Sequence, residues 1–320
     1  MQISPNHISF KGYDAAPLKK VHIEHNCHEK IQDELEEICQ KEGIKFSKIH
    51  DKLPWAQDDK CIIEKNKKPY LIGCDEISNN LLSSFKFKYK IDGSREYGFT
   101  TGGNTFIGKY PNGEKWMLIG EDELNQGLKK EDISKTYQIK KENIFIIPQQ
   151  SFHLDMFLRP IGFPYILVND PKIAKKNIET HFKDSPLKKQ FLINLLLQEK
   201  GCSCEKTIKK LEKFGFKPIR IAGVYGQDIN FMNAIVNKHS DNKISYITNS
   251  SKCNSKEFCE LEKIFEEELR KKIPNIDKVY FVSEKNAQYM ISNYTMNSLL
   301  FRSGGLHCMI LEEPNFEAWT

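Results

Sequence analysis

Two short segments of the chain combine residue types that could carry out chemistry and that secondary structure alone does not require. Near the C-terminus, Arg302-Ser303-Gly304-Gly305-Leu306-His307-Cys308-Met309-Ile310 sets a cysteine between a Gly-Gly turn and an apolar strand. A buried structural cysteine needs neither the glycines nor the polar His307. A nucleophile at a loop–strand junction uses them, because its sulfur has to project into a cleft. The second segment, Gln149 to Phe157, carries His153 and Asp155 two positions apart among Phe152, Leu154, Met156 and Phe157. On a strand the two would face the same side. A carboxylate on that side steadies the charged form of the imidazole. Cysteine, histidine and acid are the parts of covalent thiolate catalysis.

Two further segments gain meaning only beside these. Pro54-Trp55-Ala56-Gln57-Asp58-Asp59 places adjacent acids after a tryptophan and ahead of the apolar Cys61-Ile62-Ile63. Alone it reads as a solvated turn. Thr100-Thr101-Gly102-Gly103-Asn104 precedes Thr105-Phe106-Ile107, and its paired glycines allow a tight turn or a close approach of backbone to a ligand. A hairpin turn explains it equally well. It is not a dinucleotide-binding fingerprint, since it lacks G-x-G-x-x-G and the helix that should follow.

Taken in order, the four segments resemble those of the guanidine-modifying (pentein) superfamily, most closely the agmatine and arginine deiminases. That family carries Trp-x-x-Asp, then Glu-Gly-Gly-Asn/Asp, then His-x-Asp, and finally Gly-Gly-x-His-Cys near the C-terminus. This chain has Trp55-Ala-Gln-Asp58, Thr101-Gly-Gly-Asn104, His153-Leu-Asp155 and Gly304-Gly-Leu-His-Cys308 in the same order. Asp228-Ile-Asn230-Phe-Met-Asn233 is also similar to the family's Tyr-x-Asn-Phe segment. The resemblance implies an α/β fold, a five-bladed pseudo-symmetric α/β-propeller of short mixed sheets with peripheral helices. Residues 1–320 would then form a single catalytic domain. It implies Cys308, His153 and Asp155 as catalytic residues. Trp55, Asp58, Thr101, Gly102, Gly103, Asn104, Gly305 and His307 would bind substrate. One departure stands out: Thr101 occupies a position where the family usually has Glu, which removes one of three expected carboxylates. Glu96, five residues upstream, is a candidate replacement.

The implied reaction is attack by the Cys308 thiolate on a guanidinium carbon, followed by hydrolysis to a ureido product and ammonia. A guanidinium is planar and cationic, with its donors in a fork that carboxylates grip in pairs. The substrate would be a small guanidino compound, agmatine or arginine-like, and neither a metal nor an organic cofactor is needed. Arg159 and Arg302 are the candidates for holding an arginine carboxylate, though each reads equally as a structural residue. Two alternatives share the residues. One is amidino transfer to an amine. The other is a non-catalytic guanidino- or partner-binding protein weakened by Thr101. A thiol protease fits poorly, because papain-like enzymes place Cys before His, and no oxyanion-hole Gln lies near Cys308.

The elements that must position these residues are short apolar strands alternating with amphipathic helices. Strands are expected at Lys20–Ile23, Cys61–Ile63, Tyr70–Ile72, Trp116–Ile119, Ile144–Ile147, Tyr165–Val168, Ile219–Val224, Ile244–Ile247, Val279–Val282 and His307–Leu311. One helix is expected to open at Ser185 as N-cap with Pro186 in its first turn. It would bury Leu187, Phe191, Leu192, Leu195 and Leu196 and end at Gly201. Another spans Lys256–Lys272, with Phe258, Leu261, Ile264, Phe265 and Leu269 at helical spacing. Gly and Pro punctuate the chain evenly, so no linker divides it.

At 320 residues the chain fits one large α/β domain. No run of about 18 apolar residues exists to span a membrane. The start, MQISPNHISFKGYD, lacks a secretory pattern, so a cytoplasmic location is expected. The net charge of +5 does not point to nucleic acid, because only five of the 48 basic residues are arginines and the lysines are spread among 43 acids. Nine cysteines without framework spacing are expected to be reduced thiols. His22, His25, Cys27 and His28 have the composition of a metal tract but lack a second ligand pair, and read instead as a strand running into a helix start.

Overall fold

Apolar runs bounded by Gly, Pro and Asn form the strands, and the charged amphipathic stretches between them form the helices. The computed structural model describes residues 11–25, 27, 29–49, 60–65, 68–73, 100, 102–125, 127–149, 151, 153–201, 204–226, 229–251, 256–282 and 305–319. Strands β1 (Lys11–Tyr13), β2 (Leu18–Glu24) and β3 (Lys45–Ile49) come first, followed by β4 (Lys60–Lys65) and β5 (Lys68–Gly73). Next are β6 (Thr105–Lys109), β7 (Lys115–Gly120) and β8 (Ile144–Ile147), then β9 (Leu158–Pro160), β10 (Tyr165–Asn169) and β11 (Lys217–Ile221). A small ribbon of β12 (Val224–Gly226) and β13 (Ile229–Asn230) leads to β14 (Ala234–Lys238), β15 (Ile244–Asn249) and β16 (Ile276–Val282). Strand β17 (Ile310–Pro314) is the last.

One connection pattern recurs. In β6–β7–β8, β9–β10–β11 and β14–β15–β16 the first two strands are antiparallel and the third lies parallel to the second. The β17–β2–β3 sheet has the same geometry, with its first strand supplied from the far end of the chain. A parallel neighbour cannot be reached by a tight hairpin and needs a crossover. Helices supply it: Glu29–Lys41 between β2 and β3, Lys130–Tyr137 between β7 and β8, and Lys256–Lys272 between β15 and β16. Three helices, Pro171–His181, Lys188–Gly201 and Cys204–Lys213, join β10 to β11. The antiparallel β4–β5 pair matches the first half of this unit, and β1 runs parallel along the edge of β6. The fold is therefore α/β with short mixed sheets.

The core lies between sheets and helices. Trp116–Ile119 of β7 and all of β15 are buried, as expected for strands covered on both faces. Leu261, Phe265 and Leu269 of the Lys256–Lys272 helix pack against Phe231 and Tyr246, while Ile31, Leu35 and Ile38 of the Glu29–Lys41 helix face Val21 and Ile23. Each such side chain contributes about 1.5–3 kcal/mol by leaving water.

Three sequence expectations change in detail. The strand expected at Ile219–Val224 is two strands, β11 and β12, with Ala222 and Gly223 between them. A β-carbon at Gly223 would lie 2.3 Å from Met232 Sδ, and Asn169 Oδ1 accepts from both Gly223 and Val224 N–H at 3.0 Å, which bends the chain there. The helix expected from Ser185 begins at Lys188, because Ser185 Oγ accepts from Leu187 N–H in a turn ahead of it. Leu196, expected on the inner face, is 48% exposed, whereas Phe191 and Leu195 are buried. No described helix is long and apolar enough to cross a membrane.

Candidate active site

Four of the repeating units open with a polar segment just before their first strand. A single 3-10 turn, Gly102–Asn104, leads into β6, and another, Leu154–Met156, comes just before β9. Asn230 to Asn233 lead into β14, and a third turn, His307–Met309, leads into β17. Side-chain hydrogen bonds join these entries to one another. Leu154 N–H donates to Asn104 Oδ1 at 3.2 Å, and Asn230 Nδ2 donates to the Met156 carbonyl at 3.0 Å. Asn233 Nδ2 donates to Asp155 Oδ2 at 2.9 Å, and His307 N–H donates to Asn233 Oδ1 at 2.9 Å. Residues far apart in sequence therefore meet.

The expected strand through His153 and Asp155 is a turn instead. Phe157 N–H bonds back to the Leu154 carbonyl at 3.1 Å, and His153 is extended at φ −135° and ψ 150°. The polar neighbours explain the change: Asn104 satisfies Leu154 N–H, which a strand would have offered to a ladder partner. His153 and Asp155 are both buried, as is the Gly102-Gly103-Asn104 turn. Likewise the expected strand at His307–Leu311 begins only at Ile310, after the turn that holds Cys308.

Cys308 has no exposed surface. Leu306, Met309 and Ile310 share its apolar cluster with Cys27 and Cys39. Burial pushes the thiols of Cys27 and Cys39 up to about 12. The Cys308 sulfur faces polar groups: Asn233 Nδ2 donates to it at 3.2 Å, and Asp155 Oδ2 lies 3.9 Å away. That same Asp155 oxygen meets His307 Nδ1 at 3.0 Å. Among the described residues, the other oxygen, Oδ1, is buried and meets no hydrogen-bond donor.

His307, expected to contact substrate, is fully buried with both ring nitrogens engaged. Nε2 lies 2.9 Å from Arg159 Nη1. The Arg159 guanidinium also donates to Glu312 Oε1 at 3.2 Å and to the Tyr13 carbonyl at 3.3 Å, and Glu312 Oε2 accepts from Tyr13 N–H at 2.9 Å. Burial pushes the Glu312 carboxyl up, but the Arg159 charge and the His307 ring outweigh it and hold the group below the usual carboxylate range. Phe106 stacks on the His307 ring at 6.1 Å and lies under the Arg159 guanidinium at 5.3 Å. Two glycines make room. A β-carbon at Gly12 would fall 2.7 Å from His307 Cε1, and one at Gly305 would fall 2.5 Å from Asn233 Oδ1.

Asn104 Nδ2 donates to the buried Glu123 Oε1 at 3.1 Å, while its Oδ1 also accepts from Gln149 Nε2 at 2.9 Å. Trp55, Asp58, Thr101, Glu96, Asp228, Arg302 and Gly304 lie outside the described residues.

Solved structures place this architecture. Agmatine deiminase from C. jejuni aligns over 98% of both chains with a TM-score of 0.54 at 17% identity. The chain shares the agmatine deiminase fold. A cysteine-to-serine variant of that enzyme with substrate bound aligns over the same 98% of each chain, with a TM-score of 0.51 and 16% identity. A chain provisionally assigned as a peptidyl-arginine deiminase aligns over 96% of this chain and 99% of its own, with a TM-score of 0.54 and 14% identity. No protein-family model and no curated protein sequence matches the chain. At such identities the shared property is the backbone, so the side-chain arrangement above stands on this chain alone.

Within the agmatine deiminase fold, sequence reasoning did not single out Glu312, Glu123 or Asn249. Asn249 Oδ1 accepts from Leu306 N–H at 2.7 Å and so anchors the start of the turn that holds Cys308. All three share one signal, a carboxylate or amide at a position the strand or helix pattern marks as buried.

Proposed function

We propose that the protein is a cysteine-dependent amidine hydrolase of the pentein type, which removes ammonia from a small guanidino compound through a covalent intermediate on Cys308. The carrying observation is Asp155. One of its oxygens is pinned beside the Cys308 sulfur, and the other is buried without a described donor. A buried acceptor left in that state costs stability unless a ligand completes it. A guanidinium N–H would do so. The four repeating units together with the β4–β5 pair support a five-bladed pseudo-symmetric propeller, with residues 1–320 acting as one catalytic domain.

The substrate guanidinium is gripped by Asp155 and by Asp58, which precedes β4 in sequence as Asp155 precedes β9. Its positive charge beside the sulfur, together with the Asn233 amide, favours the thiolate. The sulfur attacks the central carbon and gives a tetrahedral adduct. His153 protonates one amino nitrogen, which leaves as ammonia and yields a thiouronium. The imidazole then takes a proton from water, whose oxygen attacks the same carbon. The carbon–sulfur bond breaks, the ureido product departs and the thiolate is restored. Cys308 and Asp155 are fully buried, so the reaction proceeds shielded from bulk water.

Arg302, outside the described residues, is the remaining arginine candidate for holding an arginine carboxylate, and its part decides between agmatine and arginine. The described arginines are each paired: Arg159 with Glu312, Arg220 with Glu205 and Asp170, and Arg270 with Glu266. None of them is left to bind an amino-acid carboxylate. The test is to incubate the protein with agmatine, arginine and a blocked arginine peptide, and to assay ureido product and ammonia. Turnover of agmatine or arginine by wild type, abolished in Cys308→Ala, supports the reading. Turnover only with an added amine acceptor would establish transfer instead, and no product from any guanidine in folded protein would rule out catalysis.

A further inference from the structure

We propose that Arg159 and His307 act as a positioning pair for Asp155, fixing which of its oxygens meets the Cys308 sulfur and which is left for substrate. The inference rests on the hydrolase reading for its consequence and on hydrogen-bond chemistry for its geometry. A guanidinium has donors only and stays protonated in proteins. Arg159 Nη1, 2.9 Å from His307 Nε2, therefore requires a lone pair on that nitrogen. The single ring proton then sits on Nδ1, where it donates to Asp155 Oδ2 at 3.0 Å. These two contacts assign His307 one tautomer, although it adjoins Cys308 in sequence. Both ring nitrogens of His307 are thereby committed to neighbours.

The pair is itself held in place. Glu312 and the Tyr13 carbonyl fix the Arg159 guanidinium, and Phe106 packs against both members. Glu312 also balances the Arg159 charge. The second oxygen of Asp155, buried and without a donor among the described residues, is the group left for a substrate N–H. Asn233 contributes a second donor to Asp155 Oδ2 and so helps leave Oδ1 open. The carboxylate is thereby oriented before substrate arrives, the condition under which a bound geometry approaches reaction.

Three variants separate the donor from mere bulk. In His307→Asn the amide nitrogen takes the place of Nδ1 and keeps a donor toward Asp155. In His307→Gln the amide shifts to the Nε2 position and withdraws that donor, and His307→Leu removes it altogether. Each is measured for thermal midpoint, for kcat and KM on agmatine, and for the pH profile of Cys308 alkylation by 2-chloroacetamidine, followed by peptide mass spectrometry. We expect folded His307→Leu and His307→Gln to lose about 100-fold in kcat with a smaller change in KM, and to displace the alkylation profile. His307→Asn should recover most of kcat and the wild-type profile. If the leucine variant does not fold, the glutamine variant carries the test. Wild-type kcat and profile in either of those two, or equal losses in the asparagine and glutamine variants, would overturn the proposal. Should wild type turn over no guanidine, the hydrolase reading fails, and the alkylation profile still decides: displacement by His307→Gln supports the pair and an unchanged profile rejects it.

Discussion

The side-chain amide of Asn233 reaches the Cys308 sulfur at 3.2 Å and Asp155 Oδ2 at 2.9 Å with the same nitrogen, one hydrogen to each. Its carbonyl oxygen accepts the His307 N–H at 2.9 Å. One planar group thus ties Cys308, Asp155 and the turn together. Asn233→Asp would replace both donors with acceptors and set a carboxylate against Asp155. It should lower kcat by about 100-fold or more. Asn233→Ala leaves buried partners unsatisfied and should also lower stability by about 1–3 kcal/mol. Steady-state kinetics and urea unfolding check both, and wild-type kcat in either variant would remove Asn233 from the site.

Gly12 tests the packing behind His307. An added methyl at that position meets the imidazole and the Phe106 ring at 2.7 Å, and both are buried with little room to move. Gly12→Ala should lower stability by about 1–3 kcal/mol and reduce kcat through the displaced ring. Unfolding and activity measured side by side check this; an unperturbed midpoint would mean the strand yields instead.

The thiols should differ sharply in reactivity. Cys259 is exposed, whereas burial pushes Cys27 and Cys39 up to about 12. Iodoacetamide at near-neutral pH should label Cys259 in the native protein and leave Cys27 and Cys39 unlabelled until denaturant is added. Peptide mass spectrometry reads the outcome.

The contribution of Asp14 to stability should grow as the solution turns mildly acidic. Burial raises the Asp14 carboxyl from 3.8 to about 6, against the opposing N–H groups of Gly162 and Phe163. Its folded value lies above its unfolded value, so the folded state takes up a proton first and stability rises as pH falls from above 6 toward 4. The contribution is on the order of 3 kcal/mol. Glu312 and Glu313 are held low, Glu313 by His22 and Lys19 against its burial, so the stability they add is lost as pH falls further. Burial holds the His22 imidazole low, so its contribution falls over the same range; the comparison of thermal midpoints with Asp14→Asn isolates the carboxyl, and wild type should gain on the variant as pH falls through about 6.

Much of the strand order was legible because most strands are unbroken apolar runs, as in Trp116–Ile119 and Ile144–Ile147. The turns that carry the site were harder to read. His153-Leu-Asp155 alternates like a strand, and only the Asn104 side chain, distant in sequence, takes the N–H that a neighbouring strand would have taken. The motif order points to Cys308, His153 and Asp155 as catalytic residues, whereas Asn233, which touches both Cys308 and Asp155, stands in the sequence only as the end of a supporting segment. The partners of His307 were hidden, because Arg159 and Glu312 lie 148 and 5 positions away and nothing local couples a strand arginine to a strand glutamate.

Polar groups stand at the threshold of separate units and touch mainly through side chains. Neighbouring units are therefore coupled at their entrances: exchanging Asn104 ahead of β6 would also leave the Leu154 N–H ahead of β9 without its acceptor, while the sheets behind both keep their ladders. A change at one entrance is thus felt at the next before it disturbs a single strand.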